Sequence, residues 1–377
     1  MLAPELLVAG VMALALIIYT LGAGADFGAG VWDLLARGPT RHAQRAVIGK
    51  ALGPIWEANH VWLILIVVLL FVCFPAAHAA IATALHVPLT LVLIGVVLRG
   101  SAYVFQHYDT DEHGVAARRW ERVFAIASLV TPLALGVTLG ALAGGIDRDP
   151  ATGLVRTDFI SAWLAPYPLA VGLFTLALFA HLAAVYLLHE PVDPSDLVEP
   201  APTPADGATA RDGAPVADHA RAASRSGVVA RATALVADDV RAAFRRRALA
   251  SGLLVGLTAL LAFLAADRGA PRIHDNLAAA AWALPLHLLT GAAALTALVA
   301  LWRRRDGLAR VAAMLQAALI VSGWALAHYP YLAVPGYTIT GAAAPPHVLW
   351  PVLAALAAGA LLLVPALAYL FFTFKRR

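Results

Sequence analysis

The sequence predicts an all-α polytopic membrane protein with about nine transmembrane helices arranged in helix bundles. Its composition favours this class, because 61% of the 377 residues are hydrophobic and only 13% are charged. A soluble domain is about half apolar and about a quarter charged. The mean hydropathy is +0.78, and apolar stretches of about 18 or more residues, long enough for transmembrane helices, recur along the chain.

Nine apolar segments are each long enough to cross a hydrocarbon core of about 30 Å. They are residues 4–33, 52–74, 79–106, 117–143, 158–188, 246–267, 277–303, 307–328 and 347–373. The first has no basic segment before it and no convincing cleavage site after it. We therefore expect a retained helix rather than a cleaved signal peptide.

The basic residues predict the orientation of these spans. Of the 27 Lys and Arg residues, 23 fall in alternate segments on one side. The other side has four: Arg148, Arg156, Arg268 and Arg272. Since basic loops stay in the cytoplasm, we expect the N-terminus outside and the C-terminus inside a bacterial inner membrane. The pI near 9.4 then reflects topology and does not indicate a nucleic-acid partner.

Three segments divide the chain in this interpretation. Residues 1–189 hold five spans, residues 190–245 form a flexible cytoplasmic linker, and residues 246–377 hold four spans. The linker is rich in Ala, Pro, Asp and Gly and has no aromatic residue before Phe244, so it buries too little surface to order itself. Its last part, 229–247, could form an interfacial amphipathic helix. The aromatic, uncharged loop 327–346 is instead expected to pack at the outer interface.

Asp26 is the first candidate functional residue. It lies in the glycine-rich stretch "GAGADFGAGVWD", in the half of the first span nearer the cytoplasm. No strand precedes these glycines, so the pattern does not favour a dinucleotide site. Two interpretations stay open: close helix packing with Asp26 bonded to a neighbour, or a proton-relay carboxylate, since ionisable groups inside membranes are costly.

Glu57 and His60 are the second and third candidates. They are three residues apart at the cytoplasmic start of the second span, so they share a helix face. Spans one and two are joined by a short loop, which places Asp26 and Glu57 at similar depth. Two acids and an imidazole along a path from the cytoplasm would suit proton uptake. Alternatively, Glu57 is simply an acid favoured by the helix dipole.

Metal and haem sites within the chain are not favoured. Glu57-x-x-His60 resembles half of a di-iron site, but that site needs a second such pair and further glutamates. The single cysteine of the chain also argues against cysteine-ligated zinc and iron–sulfur sites. Haem held by two histidines needs a pair at matching depth. Among His60, His86, His181 and His287, only His60 and His181 match, and buried structural histidines are the alternative. We assign no catalytic residue and no metal ligand.

Arg99 ends the third span. It could snorkel to the cytoplasmic interface, neutralise Glu57, or bind a lipid phosphate.

Four stretches together resemble subunit II of the cytochrome bd-type quinol oxidases, especially the cyanide-insensitive branch. The stretches are "GADFGAGVWDLL" (24–35), "GPIWEANHVWL" (53–63), "LRGSAYVF" (98–105) and "GWALAHYPYL" (323–332). The most specific pattern is formed by Trp56, Asn59, Val61 and Trp62. The chain departs from the family at Ala23, where members often have a second acid, and at Glu57, where many have Asp.

The resemblance implies a heterodimer with a haem-bearing subunit I. That partner would hold haem b and haem d, oxidise quinol and reduce dioxygen to water with protons from the cytoplasm. This chain would bind no haem, support the partner and line the proton path with Asp26, Glu57 and His60. The resemblance also allows a structural quinone, bound lipids and a small accessory subunit.

Two other functions remain alternatives. A proton-coupled secondary transporter would explain nine spans with buried acids, although transporters usually carry broken helices around a midplane site. A purely structural scaffold predicts that neutralising Asp26 and Glu57 affects only assembly.

Overall fold

The computed structural model describes residues 3–52, 56–108, 115–149, 151–152, 154–156, 159–190 and 217–375. Over these residues the chain forms twelve helices and one short hairpin. The helices are α1 (Pro4–Leu34), α2 (Arg41–Leu52), α3 (Trp56–Cys73), α4 (Pro75–Ala84), α5 (His86–Tyr108), α6 (Val115–Gly144), α7 (Pro166–Leu187), α8 (Ala217–Gly269), α9 (Pro271–Ala279), α10 (Ala283–Trp302), α11 (Asp306–His328) and α12 (Pro346–Lys375). The hairpin pairs β1 (Tyr331–Ala333) with β2 (Tyr337–Thr338).

The helices confirm the predicted fold class. Eight of them, in the part of the chain that the structure covers, are long and apolar enough to cross a membrane. The bent pair α3–α4 raises this number to nine if it counts as one span. Several helices keep large leucines exposed, as lipid-facing surfaces do.

The second and third predicted spans differ from the structure in detail. The chain turns by 118° between α3 and α4, because Pro75 cannot continue α3 but fits the first turn of a new helix. Residues 79–84, predicted to open the third span, belong to α4, and α5 starts only at His86. Similarly, the fifth span begins at Pro166 and not at residue 158.

Part of the predicted linker is helical. Residues 217–245 form one continuous helix with the sixth span, within α8, and not a separate interfacial helix. The stretch 228–251 holds no Gly or Pro, so nothing in its sequence interrupts the helix. Residues 191–216 lie outside the described residues, and with them the rest of the linker prediction.

One core joins the two groups of spans. The largest cluster of buried apolar side chains contains Ala29 of α1, Leu182 of α7, Phe244 and Val255 of α8, and Ala313 of α11. The predicted first and second groups therefore pack directly against each other.

The basic ends of the helices lie on one side of the bundle. Arg45 of α2 pairs with Asp33 at 3.2 Å and with Glu121 at 3.0 Å. Arg245 of α8 pairs with Asp306 at 2.9 Å. These contacts join the C-terminal end of α1, the N-terminal parts of α6 and α11, and the middle of α8, in segments that the sequence assigns to the cytoplasm.

The aromatic loop 327–346 packs against the bundle, and its position at the outer interface stays a prediction. Arg148 lies over the ring of Tyr337 at 4.7 Å, and Arg272 lies over Tyr331 at 4.6 Å. Ala333 is fully buried. The hairpin thus packs beside the C-terminal end of α6 and the N-terminal end of α9.

Candidate functional site: a buried ion pair beside α1

Helix α1 approaches its neighbours closely because its C-terminal half is rich in glycine. A Cβ atom at Gly28 would overlap the carbonyl oxygen of Phe179 on α7. A Cβ atom at Gly22 would lie 2.5 Å from Asn59 Oδ1 on α3. The glycines therefore let the backbone of α1 contact both helices, as small residues do in membrane bundles.

Asp26 forms an ion pair with Arg99 of α5. The Arg99 Nη2 atom lies 2.7 Å from Asp26 Oδ1, and the two side chains are 4% and 0% exposed. The same nitrogen donates a hydrogen bond to the Asp26 carbonyl oxygen at 2.8 Å. The pair is neutral as a unit, which reduces the free energy needed to keep both charges inside a membrane.

Aromatic and hydroxyl groups hold the guanidinium of Arg99. Its Nε donates to Ser128 Oγ of α6 at 3.1 Å. Its carbon atom Cζ lies 4.8 Å from the ring centre of Phe27 and 4.7 Å from that of Phe124. This sandwich between two ring faces is a favourable setting for a desolvated cation.

The structure therefore corrects one interpretation of Arg99. The residue is 3% exposed and does not snorkel to the interface. Its partner is Asp26, which the sequence interpretation had not paired with it. Asp26 has a bonded neighbour, as the packing interpretation expected, but that neighbour is a charge.

Two further polar side chains, Tyr19 and Asn59, lie near the pair without hydrogen-bond partners among the described residues. Tyr19 is 2% exposed and Asn59 is 3% exposed. The Tyr19 hydroxyl, both amide atoms of Asn59 and the carboxylate oxygens of Asp26 are buried and have no partner of hydrogen-bond geometry there. Buried polar atoms of native proteins are normally bonded, often to ordered water. We therefore expect water in this region.

His60 and Trp62 lie beside the same part of α1. The His60 ring meets the Phe27 ring edge-on, with centroids 6.2 Å apart. Trp62 packs against the cluster formed by Tyr19, Ala23 and Phe27. Both side chains are half-buried, so the motif on α3 contacts the ion-pair region through α1.

The side chains of Trp56 and Glu57 lie outside the described residues. Their backbone is in the first turn of α3. Since Asn59 lies opposite Gly22 on α1, the rise of an α-helix puts the backbone of Glu57 within about 3 Å of the depth of Asp26.

His181 has a structural setting. It is 1% exposed on α7, and its Nδ1 lies 3.0 Å from the Ala248 carbonyl oxygen on α8. The contact joins the two groups of spans.

Tyr19 and Ser128 were missed in the sequence. Tyr19 lies seven residues before Asp26, two turns along the same helix face, so the spacing could have pointed to it. Ser128 has no comparable signal, because its place depends on the packing of α6 against α5.

Comparisons with known proteins agree with this architecture. The family described as cytochrome bd terminal oxidase subunit II matches residues 4–203 and 228–374. Cytochrome bd ubiquinol oxidase subunit 2 of Bacillus subtilis is 30% identical over 142 residues, 37% of this chain and 41% of that protein. Cytochrome bd-I ubiquinol oxidase subunit 2 of Escherichia coli K12 is 29% identical over 175 residues, 46% of this chain and 45% of that protein. The matched regions thus span less than half the length of these curated relatives.

The solved structure of bd oxidase from Geobacillus thermodenitrificans has the same fold. The TM-score is 0.68 at 24% sequence identity, and the match covers 99% of both chains. With nearly the whole chain matched by the family model and the bundle reproduced in a solved structure, the chain belongs to the family of cytochrome bd terminal oxidase subunit II.

Proposed function

We propose that the chain is the non-haem subunit of a cytochrome bd-type quinol oxidase in the bacterial cytoplasmic membrane. A haem-bearing subunit I would hold haem b and haem d, oxidise quinol and reduce dioxygen to water. The family match over residues 4–203 and 228–374 supports this assignment. So do the names of relatives that are themselves ubiquinol oxidase subunits.

The role proposed for this chain is to guide protons from the cytoplasm toward the partner. The observation that carries it is the buried Asp26–Arg99 pair, surrounded by polar groups of Tyr19 and Asn59 that need water. A chain of waters and ionisable side chains can move protons through an apolar bundle, and membrane-buried acids commonly mark such relays. Glu57 and His60, near the same depth, would form the cytoplasmic entry.

The ion pair has a distinct part in this proposal. The Arg99 charge fixes the position of the Asp26 carboxylate, and the Phe27 and Phe124 rings fix Arg99. The carboxylate is then a fixed, oriented acceptor for water on the α1–α3 side. We assign proton exchange with the cytoplasm to Glu57, because the Asp26 carboxylate is held by Arg99.

Purification of the tagged chain from native membranes in mild detergent tests the assignment. We expect a haem-bearing partner to co-purify, haem b and haem d bands in the reduced-minus-oxidised spectrum, and quinol-driven oxygen uptake. A colourless protein without a partner, taken from membranes that respire on quinol, would refute the proposal.

A further inference from the structure

A cavity of about 370 Å³ lies between the loop after α1, the start of α2 and the middle of α8, on the side predicted to be cytoplasmic. Its lining includes three arginines and one acid: Arg37, Arg246, Arg247 and Asp239. The lining thus carries two more positive than negative charges. Arg37, Arg246 and Asp239 are exposed, whereas Arg247 is partly buried within the wall.

Arg247 is held rigidly by its surroundings. Its Nη2 donates to the Leu35 carbonyl oxygen at 3.0 Å and to Gln44 Oε1 at 2.8 Å. Its guanidinium lies 5.5 Å from the ring centre of Trp32 and 5.2 Å from that of Phe244. These contacts fix the planar group, so the direction of its other nitrogen is fixed as well.

That other nitrogen lacks an acceptor. Arg247 Nη1 is buried and has no hydrogen-bond partner among the residues that the structure covers. A buried donor on a charged group is destabilising when unpaired, and a guanidinium presents its donors in a planar fork that matches the oxygens of a phosphate or carboxylate. The wall of the cavity therefore holds a charged donor without an acceptor, next to two exposed arginines of the lining.

The number of arginines on this side follows from topology, but their arrangement does not. Basic residues accumulate in cytoplasmic loops and normally stay solvated. Here one guanidinium is fixed by two acceptors and two rings, while two more arginines share its cavity. Gln44, 2% exposed, donates to Thr40 Oγ1 at 2.8 Å and so keeps its oxygen toward Arg247.

We propose that this cavity binds a phosphate group through Arg246 and Arg37, with the fixed charge of Arg247 in its wall adding to the attraction. Two sources have this chemistry: the headgroup of an anionic phospholipid in the adjacent leaflet, and a free phosphate compound from the cytoplasm. The site is separate from the Asp26–Arg99 pair, and its occupancy does not depend on the proposed oxidase activity.

The test compares lipid-depleted wild-type complex with two double variants. Arg37→Gln with Arg246→Gln removes two charges of the cavity and leaves the contacts of Arg247 intact. Arg241→Gln with Arg303→Gln is the matched control, because it removes two exposed arginines outside the cavity lining. Native mass spectrometry measures retained phosphatidylglycerol against phosphatidylcholine, and thermal unfolding measures the response to inorganic phosphate.

We expect the wild type and the control to retain phosphatidylglycerol preferentially. The cavity variant should bind it at least about tenfold more weakly, since each hydrogen bond to a charged group contributes about a factor of ten. If inorganic phosphate alone raises the unfolding midpoint of the wild type and of the control, but not of the cavity variant, a free phosphate compound is the source. Equal binding by the cavity variant and the control, or no binding by the wild type, would overturn the proposal.

Discussion

The buried pair of Asp26 and Arg99 is the strongest constraint at the scale of single residues. Each side chain is at most 4% exposed, so removing one partner leaves an isolated charge in the apolar bundle. An uncompensated buried charge is far more destabilising than the loss of the whole pair. Structural and functional roles can therefore be separated by comparing single and double substitutions.

We expect Asp26→Asn to destabilise the complex by about 3–5 kcal/mol, because it leaves the Arg99 guanidinium unpaired. Combining it with Arg99→Gln should restore much of that stability, since the pair is then neutral and able to hydrogen-bond. Thermal unfolding of the purified complex in detergent measures both effects. If the double variant is no more stable than the single one, the ion pair is not what holds α1 against α5.

Glu57 is the residue for which we expect a catalytic effect without a structural one. Glu57→Gln keeps the shape of the side chain but removes the group that exchanges protons. Quinol-driven oxygen uptake should fall, on the order of a hundredfold if the proton transfer is rate-limiting, while the haem content of the complex stays unchanged.

Glu57→Asp is the matched control for this substitution, because it keeps a carboxyl group at the position. It should retain most of the oxygen uptake. Normal turnover in a fully assembled Glu57→Gln complex would argue against a proton path through this residue.

Single residues show where prediction from sequence ends. Charge alone marked Asp26 and Arg99 as residues that need partners. Their pairing depends on which faces of α1 and α5 meet across 73 residues of chain, and neither helix carries a pattern that specifies this. The Tyr19 hydroxyl lies on the same face as Asp26, which helical spacing can show. The position of Ser128 requires the packed bundle.

At the scale of elements, helix α1 organises the bundle because its glycines allow contact with several neighbours. The closest approach is at Gly28, where an added Cβ would overlap the backbone oxygen of Phe179 on α7. A backbone atom cannot move aside as the end of a flexible side chain can. The separation of α1 and α7 is therefore set by the absence of a side chain at this position.

We expect Gly28→Ala to destabilise the complex by about 1–3 kcal/mol, because it forces α1 away from α7. Gly10→Ala is the control in the same helix, since no atom lies within 4 Å of the added Cβ there. That variant should be neutral or slightly stabilising. Thermal unfolding of the two variants side by side measures the difference, and equal midpoints would contradict close packing at Gly28.

Helices were predicted well where the length of an apolar run defines them, and less well where a turn between two helices sets their boundaries. Spans of about 20 apolar residues were visible directly, as in α10 and α11. The bend between α3 and α4 was missed, although Pro75 marks the start of a new helix. The break at Leu85 is set by tertiary packing, since Leu85 is fully buried in a small cluster under the β1–β2 hairpin.

At the scale of the whole molecule, the predicted orientation can be tested directly. Thr340 in the outer loop and Arg303 after α10 are both exposed, whereas the single native cysteine, Cys73, is 0% exposed. A membrane-impermeant maleimide applied to spheroplasts should label Thr340→Cys and leave Arg303→Cys unlabelled. After permeabilisation both should react. If Arg303→Cys is labelled in intact spheroplasts and Thr340→Cys is not, the chain has the opposite orientation.

The shared core predicts how the two groups of spans behave when the chain between them is cut. Phe244 and Val255 of α8 are buried in the same cluster as Leu182 of α7 and Ala313 of α11, so the packing of the helices, and not the connection, should hold the groups together. We expect that a protease site inserted after Pro204 can be cleaved without separating the two fragments in mild detergent.

A C-terminal affinity tag tests this prediction. After cleavage the tag should still retain the N-terminal fragment, and the oxygen uptake of the cleaved complex should equal that of the uncleaved insertion variant. Release of the N-terminal fragment would mean that the contact between α7 and α8 is too weak to persist alone. The connecting segment would then contribute to stability by raising the effective concentration of one group near the other, and shortening it should strengthen the association.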